Sequence, residues 1–220
     1  MSIQSNLKEI VESLPSNVKL VAVSKTRPIG DILKAHAIGQ KIFAENKAQE
    51  MLQKYTQLPK DIDWHMIGHL QTNKVKYIAP FVKLIHSVDS IKLLEVINKE
   101  AIKHNRIINF LFQMYIAREE TKFGLDLSEL ESIIQNNELK NLSNVCLVGL
   151  MGMATNTDND DIIRSEFNEL KNSYELIKSK YFSSNSEFCE LSIGMSSDYK
   201  IAIEAGSTMV RIGSSIFGFR

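Results

Sequence analysis

Residues 19–26, Lys-Leu-Val-Ala-Val-Ser-Lys-Thr, carry the reading of the whole chain. The apolar residues run on without alternating with polar ones, as in a strand covered on both faces, and parallel sheets are built from such strands. The strand covers 19–24, and an amine, Lys25, follows it directly. Similar apolar runs recur at 41–44 (KIFA), 64–67 (WHMI), 83–87 (KLIHS), 107–116 (IINFLFQMYI), 145–150 (VCLVGL), 187–193 (EFCELSI) and 209–212 (MVRI). Segments with helical spacing lie between them: Gly30-Asp31 opens one, Asn46 the next, then Ser90, Leu127-Ser128, a long stretch over 158–180, and Ser196-Ser197-Asp198. The first residues, MSIQSNLKEIVESLPSN, predict an extra N-terminal helix. Strand followed by helix, repeated, means βαβ units around a parallel sheet. Eight candidate strands with no break in composition favour a closed α/β (β/α)8 TIM barrel over an open doubly wound sheet, in one domain over residues 1–220.

Composition narrows the ligand class. Of 220 residues, 44% are hydrophobic and 24% charged, the proportions of a globular chain rather than a disordered one. The 26 Lys and Arg balance 26 Asp and Glu, whereas nucleic acid or an anionic membrane surface would draw a basic excess. The N-terminus lacks the basic start and apolar block of a secretory signal, and no run approaches a membrane span. A cytoplasmic protein with a small neutral or anionic ligand is expected. Cys146 and Cys189 sit in apolar runs and are expected to be small buried hydrophobes, too few for a disulfide framework.

Chemistry in a barrel belongs at the C-terminal ends of the strands. Those ends are polar here: Ser24-Lys25-Thr26, Glu45-Asn46-Lys47, Gly68-His69, Ser87 and Asp89, Arg118 with Lys122, Met151-Gly152-Met153, Gly194-Met195-Ser196 and Gly213-Ser214-Ser215. Lys25 is the sharpest feature, because desolvation and neighbouring cations turn a lysine at a barrel mouth into a nucleophilic amine. The plainer alternative is a lysine leaving the core for solvent. Arg211-Ile-Gly-Ser-Ser offers amides and hydroxyls to a phosphate after the last strand, and Ser192 and Ser196 flank Gly194 next door. His65 and His69 straddle a strand end, His86 lies within a strand, and all three are expected to be structural rather than metal ligands. The polar NTDNDD stretch after Met153 is the longest loop candidate and a possible lid.

On these residues the chain resembles the pyridoxal 5′-phosphate homeostasis proteins, single-domain relatives of the alanine racemase N-terminal barrel. The resemblance spans nearly the whole chain. It rests on Val21-Ala-Val-Ser-Lys25-Thr26, Phe43-Ala-Glu-Asn46-Lys-Ala-Gln-Glu50, Trp64-His-Met-Ile-Gly-His-Leu-Gln71, His86-Ser-Val-Asp89, Lys122-Phe-Gly124, Leu191-Ser-Ile-Gly-Met-Ser196 and Val210-Arg-Ile-Gly213. Ala44 stands where the family usually has Gly, and Ser214 where Thr is common, which keeps the hydroxyl.

The resemblance implies an alanine racemase N-terminal-domain-like barrel with pyridoxal phosphate as cofactor. Lys25 matches the Schiff-base lysine. Ser192, Ser196, Gly213 and Ser214 match the phosphate-binding elements, and Arg211 the arginine near the pyridine nitrogen. Asn46 and Met195 complete the expected cofactor-binding set, with no catalytic residue and no metal. An arginine can only donate, so the ring nitrogen stays unprotonated and the cofactor is a weak electron sink. The chain also ends eight residues past Ile212, with no room for a domain bearing a second acid/base. The expectation is therefore a monomeric carrier that buffers the cofactor or delivers it to apo-enzymes, without substantial turnover. An amino-acid racemase is the alternative. A phosphosugar-type barrel enzyme, with Lys25 bonding its substrate instead, is a third.

Overall fold

The structure is a computed structural model that describes residues 2–117 and 123–218. Eight parallel strands close into a barrel in chain order, β1 to β8, with β8 pairing back onto β1. They are β1 (Lys19–Val23), β2 (Ile42–Glu45), β3 (Asp63–Met66), β4 (Leu84–Val88), β5 (Ile108–Gln113), β6 (Val145–Met151), β7 (Glu190–Ser192) and β8 (Met209–Ile212). The eight apolar runs are the eight strands. Three are shorter than their runs: the first by one residue, at Ser24, and the fifth and seventh by four each. In the seventh, Phe188 lies before the strand and packs outward between Tyr174 and Phe182.

Helices α1 (Ile3–Ser13), α2 (Ile29–His36), α3 (Ala48–Gln57), α4 (Val75–Ile78), α5 (Ile91–Lys103), α6 (Leu127–Gln135), α7 (Asp160–Tyr181), α8 (Tyr199–Glu204) and α9 (Ser214–Phe217) alternate with the strands. Side-chain caps set several starts. Ser90 accepts from the Leu93 amide, Asp126 forms a capping box with Glu129, and Asn159 accepts from Asp161 and Ile162. Helix α3 begins one residue later than Asn46 predicts, with Lys47 at its cap position. That leaves Asn46 outside the helix. The last two residues of the NTDNDD stretch, Asp160 and Asp161, belong to α7 rather than to a loop. Residues 72–74 and α4, between β3 and β4, carry too few periodic positions to stand out in the sequence. The expected N-terminal helix is present, and it packs against α9 and α2 with Asn6 Nδ2 donating to the Ile216 carbonyl. Because α9 is a single turn, α1 supplies the helix layer beside the last strand.

Inside the barrel a small cluster, Val21, Val23, Ala44, Leu84, Leu111, Val148, Met151 and Met209, fills the axis, while the larger core lies between strands and helices. Gly149 lies where the β5–β6 register shifts, with φ at +153°, and a Cβ there would fall 1.7 Å from the Glu190 carbonyl oxygen on β7. Only glycine permits that approach.

The cysteines depart from expectation. Cys146 is only half-buried and Cys189 is exposed, because each lies near the N-terminal end of its strand, away from the packed mid-barrel layers. Burial still raises both thiols above their ordinary value, so neither is a ready thiolate. No helix among the described residues is long and apolar enough to cross a membrane.

Candidate functional site

At the C-terminal ends of the strands lies a cavity of about 610 Å3. The turn after β1 brings Lys25 and Arg27 to it, and the end of β2 brings Asn46. The β7–α8 turn adds Met195 and Ser196, while β8 and the start of α9 add Arg211, Gly213 and Ser214. Seven of the eight residues singled out in the sequence therefore share one wall. The eighth, Ser192, is fully buried and does not line the cavity. Arg118 and Lys122 lie outside the described residues.

Ser192 sits beneath Arg211. The guanidinium Nη1 donates to the Ser192 hydroxyl and carbonyl, both at 2.7 Å, and Nη2 donates to the Gly152 carbonyl at 3.0 Å. The Ser192 hydroxyl also pairs with His86 Nδ1 at 3.0 Å, and His86 Nε2 with His65 Nδ1 at 3.0 Å. A polar chain thus runs from the mouth down the barrel axis. Burial, reinforced by Lys19 and Lys83, pulls the His65 imidazole down to about 3. Burial, then His65 and Arg211, holds His86 well below its ordinary value. Both rings are neutral at physiological pH. Burial also lowers Arg211 to about 10 against the pull of Asp198, so it remains the charged member of the chain.

The rest of the mouth is built from backbone and hydroxyls. The Gly213 amide donates to Ser196 Oγ at 3.1 Å, which joins the β7 and β8 turns. Buried Asp198 accepts from the Met195 amide at 2.5 Å and fixes the turn that carries Ser196. Asn46 is held by close approach, since a Cβ on Gly68 would come within 2.4 Å of the Asn46 carbonyl oxygen. Asn46 Oδ1 is itself buried without a partner.

Around Lys25 the backbone is unusual. Thr26 has φ at +64°, a left-handed conformation that a β-branched residue adopts only when its surroundings enforce it. Arg27 is anchored through its guanidinium to the Gly218 carbonyl. Behind the turn, Lys54 Nζ is buried and donates to the Ser24 carbonyl, Glu45 Oε1 and Glu50 Oε1 at 2.7, 2.8 and 2.7 Å. Burial pushes Glu45 up to about 7 despite Lys54.

These features suit the cofactor that the resemblance implies. Among the described residues the lining carries three cationic side chains, Lys25, Arg27 and Arg211, and no carboxylate, as an anionic ligand requires. Ser196, Ser214 and the Gly213 backbone offer a phosphate site, and the orphaned Asn46 oxygen calls for a donor from a bound molecule. Sequence reasoning missed the histidine–serine support of Arg211 and the Lys54 cluster. The Glu50–Lys54 spacing of four was visible as a helix pair, but nothing in the sequence marked it as buried.

The family model for the alanine racemase N-terminal domain matches residues 1–220. A pyridoxal phosphate homeostasis protein of Aquifex aeolicus is 39% identical over 203 residues, 92% of this chain and 87% of that one. One from Haemophilus influenzae is 36% identical over 233 residues, 100% of this chain and 97% of the other. Among solved structures, PipY of Synechococcus elongatus PCC7942 with bound pyridoxal phosphate superposes with a TM-score of 0.89 at 32% identity, covering 99% of this chain and 100% of PipY. Its form without pyridoxal phosphate gives 0.91.

Proposed function

This chain belongs to the pyridoxal phosphate homeostasis proteins, within the alanine racemase N-terminal-domain family, and on that footing we propose that it holds pyridoxal phosphate at the barrel mouth through Lys25 for storage and delivery. The observation that carries this reading is the shared wall: Lys25, Arg211 and the Ser196–Gly213–Ser214 group line one cavity. When bound, the cofactor supplies an aldehyde carbon that bonds reversibly to a lysine amine with loss of water.

Each residue has a distinct task. Lys25 presents the amine. Ser196, Ser214 and the Gly213 backbone take the phosphate, where charge-assisted hydrogen bonds carry much of the affinity. Arg211 would meet the ring nitrogen of a bound cofactor, and because it can only donate it would disfavour a strong electron sink. Ser192 holds Arg211 rather than phosphate. Among the described residues the lining offers no tyrosine, imidazole, thiol or carboxylate to serve as a second acid/base opposite Lys25. These features favour a carrier over a racemase. We take the protein to act as a cytoplasmic monomer that meets apo-enzymes only transiently.

The test begins with an absorbance spectrum of the loaded protein before and after borohydride reduction, with peptide mapping of the adduct. Label on Lys25, and reactivation of apo-enzymes by the loaded protein, are expected. Conversion of L-amino acids to their D-forms at ordinary enzyme rates would replace this reading with the racemase.

A further inference from the structure

Lys54 is unusual among the described lysines. It is only 6% exposed, and its ammonium reaches across from α3 to the turn that carries Lys25. Its three hydrogen bonds are arranged around that turn. One goes to the Ser24 carbonyl, the residue before Lys25. Another goes to Glu50 Oε1, and the same oxygen accepts from the Thr26 amide, the residue after Lys25, at 2.5 Å. The third goes to Glu45 Oε1, which also accepts from Ser24 Oγ at 2.6 Å. Partial burial pushes Glu50 up, but the hydrogen bonds from Lys54 and the Thr26 amide outweigh it and hold the carboxyl below its ordinary range. Glu50 therefore carries the negative charge that grips both Lys54 and Thr26.

None of the three side chains lines the cavity; their bonds go to Ser24 and Thr26, the residues on either side of Lys25. Burying an ammonium and two carboxylates is expensive, and such a group destabilises more often than it stabilises when compared with apolar packing. Glu45 Oε2, moreover, is buried with no partner. The left-handed Thr26 adds a further cost. These costs fall together at the residues flanking the amine, where fixed geometry matters most.

We propose that Lys54, acting with Glu45 and Glu50, is a positioning residue for Lys25: the cluster clamps the backbone on both sides of the amine-bearing residue and so sets how long the cofactor is retained. This rests on the function proposed above. A residue that must bond reversibly and release its cargo gains control from the stiffness of its turn, because a Lys25 held at the cavity wall recaptures the aldehyde before it diffuses away.

Two measurements on Glu50→Ala, Lys54→Met and Glu50→Gln test it, with Asp31→Asn as a surface carboxylate control. The first is amide hydrogen exchange at Thr26 and Val21 in protein without cofactor. The second is loss of the violet absorbance of pyridoxal phosphate-loaded protein on mixing with excess apo-enzyme. Glu50→Ala and Lys54→Met should speed Thr26 exchange and cofactor release, each by about tenfold or more, with Val21 exchange unchanged. Glu50→Gln, which keeps a neutral acceptor for the Thr26 amide, should fall between, and Asp31→Asn should match the parent. Faster Thr26 exchange with unchanged release, or no change in Thr26 exchange in Glu50→Ala, overturns the proposal. A parent protein that takes no cofactor onto Lys25 overturns the function instead, and the Thr26 exchange still decides whether the clamp exists.

Discussion

The His65–His86 pair makes the fold sensitive to acid, and the size of the effect follows from the burial of His65. In the unfolded chain His65 takes up a proton near pH 6.5, whereas in the fold its imidazole titrates at about 3. The folded value is depressed, so the unfolded state binds the extra proton and stability falls as pH drops below 6.5. Between pH 7.5 and pH 5 that one ring costs about 2 kcal/mol. Glu45 works in the opposite sense, since its raised folded value means stability gained as pH falls through about 7. A comparison of parent and variant cancels that contribution. His65→Asn places an amide where Nδ1 meets His86 and removes one titrating ring. Urea unfolding at pH 7.5, 6.5, 5.5 and 5.0 should show the variant less stable than the parent at pH 7.5, with the gap closing by about 2 kcal/mol at pH 5. A gap that stays constant across this range would refute the reasoning, because it would mean that the folded imidazole titrates like a free one.

Other outcomes follow from single contacts. Ser192→Ala leaves an Arg211 N–H and His86 Nδ1 short of a partner; it should cost about 1–3 kcal/mol in denaturant unfolding and shift the absorbance maximum of the loaded protein. Ser196→Ala removes the acceptor of the Gly213 amide, and should weaken pyridoxal phosphate binding about tenfold or more in a titration while leaving the affinity for unphosphorylated pyridoxal nearly unchanged. Gly149→Ala drives a Cβ into the Glu190 carbonyl, and loss of soluble folded protein or a drop of several kcal/mol, roughly the upper range for point changes, should be seen by thermal unfolding.

Periodicity made the architecture legible. The runs at 19–24 and 209–212 are continuous because parallel strands in a barrel are covered on both faces, so even the closing pair, β1 on β8, could be inferred from strand count. Lys25 and the Gly213-Ser214 turn were legible too, since a strand end in this fold is a mouth position by topology alone. Distance along the chain hid the rest. Ser192 reads as a hydroxyl near a glycine turn and hence as a phosphate ligand, yet the alternation of β7 turns it inward beneath Arg211, where His86, 106 residues away, meets it. Glu45 and Lys54 read as ordinary strand-end and helix-face charges. Only the packing of α3 against β2 and the turn after β1 removes water from them, and removal of water is what changes a solvated charge into a costly one that must be bonded on every side. Sequence determined which elements form and where their ends point, because those follow from local spacing. Which polar groups share a dry interior depends on contacts between distant segments, and that was decided by the tertiary structure alone.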